Sequence, residues 1–425
     1  MQNLWADLDN GQTPPAPGGH GRARRLTEPV ILSSLRDWLL HDYVASYCRS
    51  LTASPLYRRC YWVDALGSGA KAQSDTDAVA PSAEMQGVAK KGRKKEAPLV
   101  PAALRPLTEL GQTLAQEGRP ITLYGIVLEA GSSRRKDARV PQEGLAISRE
   151  GGVVRASWLE AGSLTLQALD QAPAIFLLNP FGQTLFTYDD LNLLYQRMAP
   201  TELCLLIPHK QVEARLLATR NTPEATSALV ALLRSDRWKA LLPKDQDAPA
   251  LAQAVDGIID LLIGSIRRQF LAVQRIPIPI QVRPAVVETA PYSLVFATRR
   301  QDSLASMNDA ICLYRRRLYE RSHQGVLGEA WFVTQQQEHL AEALENLHQR
   351  ALHLGRSRNV RRWPDLRQQL LLAHFGQFTT HDYNAVIRTL LRAGEVRCEW
   401  RRPPTVGEAA PEEIPLPGSD DILLW

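Results

Sequence analysis

Short apolar runs alternate with segments of helical spacing through the middle of the chain. Five runs are apolar at nearly every position, which is typical of strands buried on both faces of a parallel sheet. The predicted strands are CYWVDALGSG (60–69), ITLYGIVLEA (121–130), GGVVRASWLE (151–160), AIFLLNPFG (174–182) and TELCLLIPHK (201–210). Amphipathic segments such as YDDLNLLYQRMA separate them. The pattern therefore predicts a doubly wound α/β fold.

Polar residues and glycines follow these runs, where the strands are expected to end. Ligands of such sheets bind beyond the carboxyl ends of the strands. An acid in the position of Glu129 can accept hydrogen bonds from two ribose hydroxyls, and Asp64 can orient its loop or hold a cationic amine. Glycines allow a ligand close to the backbone, although they also occur in ordinary turns. The candidate ligand-binding residues are Asp64, Gly67, Gly69, Glu129 and Glu160.

The tetrapeptide NPFG (179–182) ends the fourth predicted strand and has two interpretations. In the first, it is a catalytic site for an amine. Asn179 and the Pro180 carbonyl accept hydrogen bonds from the amine, and the Phe181 ring stacks on the base that is methylated. In the second, Pro and Gly simply form the turn after a buried strand.

Three segments differ in composition from this core. Residues 1–28 lack the apolar stretch of a secretory signal and are predicted to be a disordered arm. Residues 71–98 are small, polar and charged, and are predicted to be a disordered insertion. Its run KKGRKK indicates either a nucleic-acid contact or a solvated loop. Residues 403–425 contain five acids and no Lys or Arg, which predicts an acidic tail.

Composition narrows the class of protein. No apolar run reaches the about 20 residues of a membrane span, so we expect no membrane partner. The five cysteines are far apart and form no CxxC pair, so neither a disulfide framework nor a metal site is predicted. We expect a cytoplasmic protein. Its main domain covers 29–330 with a helical insertion at 222–275, and a connecting helix covers 331–355.

Residues 356–402 have the layout of a winged helix-turn-helix. The prediction is a helix in LRQQLLLAHF, a turn at Gly376, a helix capped by Thr379 or Thr380, and a wing strand EVRCEWRR. Ten arginines, no lysine and four acids give this segment a net charge of +6, against +5 for the whole chain. Such charge is typical of phosphate binding, and the alternative is a protein-docking module. The candidate nucleic-acid contacts are Arg361, Arg362, Arg388, Arg392, Arg397, Arg401 and Arg402.

The order of these segments resembles a known family, the three-Cys-motif partner proteins (TcmP), which are similar to class I S-adenosylmethionine-dependent methyltransferases. The resemblance covers roughly residues 29–400. It is carried by ILSSLRDWL, YWVDALGSG, APLVPAALRPL, YGIVLEA, FLLNPFG, RSDRWKALL, LAQAVDGIIDLLIGSIRRQF and PYSLVFATRRQDSLASMNDAI. The chain departs from the family pattern in DALGSG, which is one residue shorter, and in NPFG, where the family has an aspartate.

The resemblance implies a Rossmann-like methyltransferase sheet, S-adenosylmethionine as cofactor and a partner protein that bears a three-cysteine motif. With the arginines, it predicts a methyltransferase-like protein associated with nucleic acid, in particular duplex DNA, and leaves open whether the chain is an enzyme. The alternative is a non-catalytic scaffold or DNA-targeting subunit of a bacterial genome-defence or modification complex. In either case, the acidic tail can pair with the neighbouring arginines and block them.

Overall fold

The computed structural model describes most of the chain in two compact units. It describes residues 28–66, 104–119, 121–129, 147–243, 247–283, 286–401 and 414–425. The predicted insertion at 71–98, nearly all of the predicted arm, and Gly67, Gly69 and Arg402 lie outside these residues. The sheet unit comprises Thr27–Ile278 and Ala290–Ser303, and the C-terminal unit includes Pro279–Thr289 and Leu304–Trp425.

A seven-stranded, mostly parallel sheet forms the framework of the sheet unit. Its strands are β1 (Arg59–Asp64), β2 (Thr122–Leu128), β3 (Gly152–Val154), β4 (Ala174–Leu178), β5 (Thr201–Pro208), β6 (Ala272–Arg283) and β7 (Val286–Thr298). The strand order is β3-β2-β1-β4-β5-β7-β6. Strands β1 to β5 pair in parallel, whereas β7 is antiparallel to β5. The predicted α/β fold with a doubly wound, Rossmann-like sheet is confirmed at this level.

Helices connect the strands and cover both faces of the sheet. They are α1 (Glu28–Trp38), α2 (Ala45–Leu51), α3 (Arg105–Gln116), α4 (Trp158–Leu169), α5 (Tyr188–Tyr195), α6 (His209–Ala218), α7 (Pro223–Leu233) and α8 (Ala248–Ile266). A π-helical segment, Leu39–Val44, joins α1 to α2, and a short 3₁₀ helix, Arg237–Leu241, follows α7.

Burial on both faces explains why the strands are apolar throughout. On one face, Phe176 of β4 packs edge-on against Trp158 of α4, with 5.8 Å between ring centroids. On the other face, Phe296 of β7 packs against Tyr43 of the π-helical segment at 5.4 Å. Strands β4 and β5 are buried at every position, so alternation of polar and apolar residues is lost.

The predicted helical insertion at 222–275 contains α7, the 3₁₀ helix and α8. Among the described residues, α8 is the one helix long and apolar enough to cross a membrane. Its side chains Val255, Ile259 and Leu262 are nevertheless buried in the same hydrophobic core as Phe176. Packing inside the sheet unit therefore explains the apolar sequence of α8.

The C-terminal unit contains four helices and a two-stranded sheet in its described residues. They are most of α9 (Gln301–His323), then α10 (Glu329–Arg358), α11 (Trp363–Ala373), α12 (Thr380–Arg392), β8 (Arg397–Glu399) and β9 (Ile422–Leu424). Helix α10 includes the predicted connecting helix. Thr379 caps α12, because its hydroxyl accepts from the Asp382 N–H and the Asp382 carboxylate accepts from the Thr379 N–H.

Helices α11 and α12 lie where the sequence predicts two helices, with small differences at their ends. Helix α11 ends at Ala373, so Phe375 lies beyond it and is only half-buried. Gly376 has a φ of +75° in the connecting turn, a conformation that favours glycine. Leu391 of α12 is also half-buried.

The last twelve residues form part of the C-terminal unit, which corrects the predicted acidic tail. Strand β9 pairs antiparallel with β8 through Cys398 and Leu423. Leu423 is buried, and the Trp425 indole N–H donates to the Val360 carbonyl at 2.7 Å. Asp421 accepts from the Arg401 N–H at 2.9 Å. Residues 414–425 therefore belong to the same unit as α11 and α12, although the sequence predicted a domain boundary after residue 402.

Candidate functional site

The carboxyl ends of β1, β2 and β4 bring three predicted site residues to one edge of the sheet. Asp64 is in register with Val127 of β2 and with Leu177 of β4. Glu129 and Asn179 each lie two residues beyond those partners. This edge is where ligands of doubly wound sheets bind.

Asp64 forms an ion pair inside the protein. Its carboxylate accepts from the Arg36 guanidinium of α1, with Nε 2.5 Å from Oδ2 and Nη2 3.2 Å from Oδ1. The carboxylate also accepts from the Leu66 N–H at 3.1 Å. The prediction that Asp64 orients its loop fits this arrangement. The prediction that it holds a ligand amine does not, because Arg36 already supplies the cation.

Glu129 is the predicted site acid whose carboxylate has no partner among the described residues. Its backbone N–H donates to the Val154 carbonyl at 2.8 Å, which fixes the end of β2 beside β3. The side chain is half-buried and makes no hydrogen bond or ion pair with any residue in the described part of the chain. A carboxylate held in this way can accept two hydroxyl hydrogen bonds without first breaking another interaction.

Glu160 has a structural role, which corrects its predicted place at a strand end. Strand β3 stops at Val154, and Glu160 lies in the first turn of α4. Its carboxylate accepts from the Ser157 N–H at 2.7 Å and from the Ser157 hydroxyl at 2.8 Å, forming a capping box. The carboxylate therefore stabilises the start of α4.

The polar groups of NPFG are occupied by the protein itself. The Asn179 side-chain oxygen accepts from the Phe181 N–H at 3.0 Å, and its amide donates to the Gln211 side chain at 2.9 Å. The Pro180 carbonyl accepts from the Phe186 N–H at 3.0 Å. Both acceptors that the amine-site interpretation requires therefore have donors in this conformation.

The Phe181 ring is not available for stacking. It is completely buried and belongs to the core beneath the sheet, together with Phe186. The Arg215 guanidinium donates to the Gly182 carbonyl at 2.5 Å and fixes the end of the turn. The prediction that Phe181 stacks on a base is therefore wrong for this conformation, and the geometry favours the turn.

Replacing Asn179 tests this structural role. Asn179→Ala removes both side-chain hydrogen bonds and is expected to lower the free energy of unfolding by about 1–3 kcal/mol. Asn179→Asp keeps the oxygen that accepts from Phe181 and should cost less. Denaturant unfolding of both variants measures the difference. Unchanged stability of the alanine variant, with loss of methyl transfer, would instead favour the amine site.

A second buried acid was missed by sequence reasoning. Glu202 of β5 is completely buried, and burial raises the pKa of its carboxyl to about 7. The hydroxyls of Thr298 and Ser303 oppose this rise, but neither carboxylate oxygen has a hydrogen bond of standard geometry. The signal in the sequence was a single acid inside the otherwise apolar run TELCLLIP.

The predicted arginines of the C-terminal unit differ in exposure. Arg361, Arg362, Arg392, Arg397 and Arg401 are exposed. Arg388 is half-buried, and its Nε donates to the Ile414 carbonyl at 3.1 Å. Arg388 therefore stabilises the described C-terminal segment, whereas the side chains of the other five arginines are exposed.

The described residues also form a concavity elsewhere in the sheet unit. This concavity of about 530 Å³ lies apart from the carboxyl-edge acids and is lined by Thr187, Asp189, Val230, Ala231, Arg234, Ser235 and Asp236. The described residues include no group of His, Cys, Asp and Glu that could hold a metal ion. Sequence reasoning also missed Arg36 and Gln211, because nothing in the sequence links them to Asp64 and Asn179.

Comparison with protein-family models, with curated proteins and with solved structures finds no match to this chain.

Proposed function

We propose that this chain is a cytoplasmic, S-adenosylmethionine-binding protein of the methyltransferase type that associates with nucleic acid. The observation that carries the proposal is the strand order β3-β2-β1-β4-β5-β7-β6 with β7 antiparallel to β5. Class I S-adenosylmethionine-dependent methyltransferases have this order and this single reversed strand. The predicted resemblance to the three-Cys-motif partner proteins rests on the same class of fold.

The carboxyl edge of the sheet fits the cofactor at one position. Glu129, at the end of β2, has a carboxylate with no partner among the described residues, and it suits the two ribose hydroxyls. The Asp64–Arg36 ion pair fixes the first residues after β1, where Gly67 and Gly69 follow. When bound, S-adenosylmethionine supplies an activated methyl group on its sulfonium.

Replacing Glu129 tests the cofactor site. Glu129→Ala removes the carboxylate and is expected to weaken S-adenosylmethionine binding about tenfold or more, because hydrogen bonds to a charged group are lost. The thermal midpoint should hardly change, since no described residue depends on this side chain. Calorimetric titration measures the affinity. Glu160→Ala is the matched control, and it should destabilise α4 by about 1 kcal/mol while leaving the affinity unchanged.

Nucleic-acid association is proposed for the C-terminal unit. Helices α11 and α12, followed by the β8–β9 sheet, have the order of a winged helix-turn-helix. Their exposed arginines make the unit suited to phosphates, and duplex DNA is the partner that this module most often binds. A second partner, a protein that bears a three-cysteine motif, is proposed from the family resemblance alone.

One observation favours the non-catalytic alternative, a scaffold or DNA-targeting subunit of a genome-defence or modification complex. The acceptors of NPFG already accept hydrogen bonds within the protein and its ring is buried, which favours a structural turn over an amine site. Incubation of the full chain with labelled S-adenosylmethionine and duplex DNA separates the two functions. Cofactor binding without label transfer supports the scaffold, and transfer supports the enzyme.

A further inference from the structure

The β8–β9 sheet has one buried face and one exposed face. Opposed residues of an antiparallel pair share a face. Cys398 and Leu423 point inward, and Leu423 is 1% exposed. The opposed pairs Arg397–Leu424 and Glu399–Ile422 therefore point outward, and all four residues are exposed.

The loop before α11 lies against this sheet and adds two more arginines. The Leu423 N–H donates to the Arg361 carbonyl at 2.7 Å, so residue 361 lies directly beside β9. Arg361 and Arg362 are both exposed. Arg401 continues the outward alternation of β8, and its own N–H is fixed by Asp421. We call Arg361, Arg362, Arg397 and Arg401 the wing arginines.

The side chains of the wing arginines make no hydrogen bond or ion pair with other residues in the described ranges. These four guanidinium groups have no ion-pair partner among the described residues, and the phosphates of a duplex would supply one. Glu399 is the one acid on the outward face of β8. The wing arginines therefore form a surface that is complementary to a polyanion.

Helix α12 is less available to nucleic acid, although the second helix of such a module usually enters the major groove. Arg388, at its centre, donates to the Ile414 carbonyl, and Asn384, one turn earlier on the same face, has a buried side-chain oxygen. Arg392 is the remaining exposed arginine of α12. Ile414, in the described range 414–425, thus lies against the middle of this face.

We propose that duplex nucleic acid binds the C-terminal unit through the wing arginines rather than through α12. The inference rests on the proposed association with nucleic acid and specifies its surface. Contacts between arginines and phosphates position a duplex without reading its bases, so binding at this surface depends strongly on salt and weakly on sequence.

Two charge-matched double variants of the full chain test the surface. Arg361→Ala with Arg397→Ala removes the side chains of two wing arginines. The backbone hydrogen bond from Leu423 to residue 361 and the pairing of residue 397 with Leu424 are kept. Arg321→Ala with Arg350→Ala removes two exposed arginines from α9 and α10. We expect the wing variant to weaken binding of a 20-base-pair duplex about tenfold or more. The slope of log affinity against log salt should become shallower by about two. The control variant should bind within about threefold of wild type.

A change of opposite sign provides an independent check. Glu399→Gln removes the acid between Arg397 and Arg401 and should tighten duplex binding about two- to fivefold at low salt. Glu342→Gln, an exposed change on α10, should leave binding unchanged.

The outcomes distinguish this inference from the proposed function. Normal duplex binding by the wing variant would overturn the inference and keep the association with nucleic acid. No binding by wild type at about 50 mM salt, where phosphate contacts are strong, would overturn both. The wing arginines would then be a docking surface for an acidic protein.

Discussion

Deleting residues 404–425 is expected to unfold the C-terminal unit. The deletion removes β9, whose Leu423 is buried, and loss of a buried leucine side chain alone costs about 2–5 kcal/mol. It also removes the hydrogen bond that the Arg401 N–H donates to Asp421 and the one that the Trp425 indole donates to the Val360 carbonyl. The Trp425 ring packs so closely on Gly355 that no Cβ fits between them. Together these contacts exceed what a marginally stable unit can lose.

Point substitutions measure the same effect without a deletion. Leu423→Ala is expected to lower the free energy of unfolding by about 3 kcal/mol, since it leaves a cavity behind β9. Leu424→Ala, its neighbour on the exposed face, is the control and should change stability by less than about 0.5 kcal/mol. Denaturant unfolding followed by tryptophan fluorescence measures both changes. Trp363 is a suitable probe because it is buried and lies just after Val360 and Arg361, whose carbonyls accept hydrogen bonds from Trp425 and Leu423.

The deletion also tests the earlier interpretation of residues 403–425 as a blocking tail. That interpretation predicts a folded protein that binds duplex DNA more tightly at low salt. A deletion variant with a native thermal midpoint and higher affinity would contradict the structural role of β9.

Glu202→Gln is expected to stabilise the protein at pH 8. The pKa of the buried carboxyl is about 7 in the folded state, against an ordinary 4.5. As pH rises from 4.5 to 7, the unfolded chain loses this proton while the folded chain keeps it, so stability falls. The loss is complete above pH 7 and amounts to about 3 kcal/mol. The amide does not ionise and avoids this loss.

Thermal unfolding at several pH values measures the effect. At pH 8 we expect the midpoint of Glu202→Gln to lie several degrees above that of wild type, and at pH 4.5 the two should agree. Glu224→Gln, an exposed change at the start of α7, should follow wild type throughout. A variant that is less stable than wild type at every pH would mean that Glu202 is ionised and well hydrogen-bonded in the folded protein.

The sheet could be predicted from the sequence because its strands are apolar on both faces. Strands β4 and β5 are buried at every position. Each strand therefore appears in the sequence as a mostly apolar run, which can be recognised without knowing the strand it pairs with. Strand β3 has only three residues, whereas the predicted third strand covered residues 151–160. The prediction therefore included the start of α4 and wrongly placed Glu160 at the end of a strand. The Ser157–Glu160 capping box was the local signal for the start of that helix.

The contacts that decide the site could not be predicted in this way. Arg36 and Asp64 are 28 residues apart, and only the fold brings them together. The same holds for Gln211 and Asn179, which are separated by 32 residues. Strand β9 has three residues inside an acidic segment, so composition indicated a tail where pairing with β8 forms a sheet.

The central claim is that the carboxyl edge of the sheet binds S-adenosylmethionine, and calorimetric titration of the full-length wild type tests it most directly. We predict saturable binding at one site per chain, with Glu160→Ala matching wild type and Glu129→Ala at least about tenfold weaker. Absence of binding by folded wild type would contradict the claim. Equal affinity of Glu129→Ala and wild type would place the cofactor elsewhere.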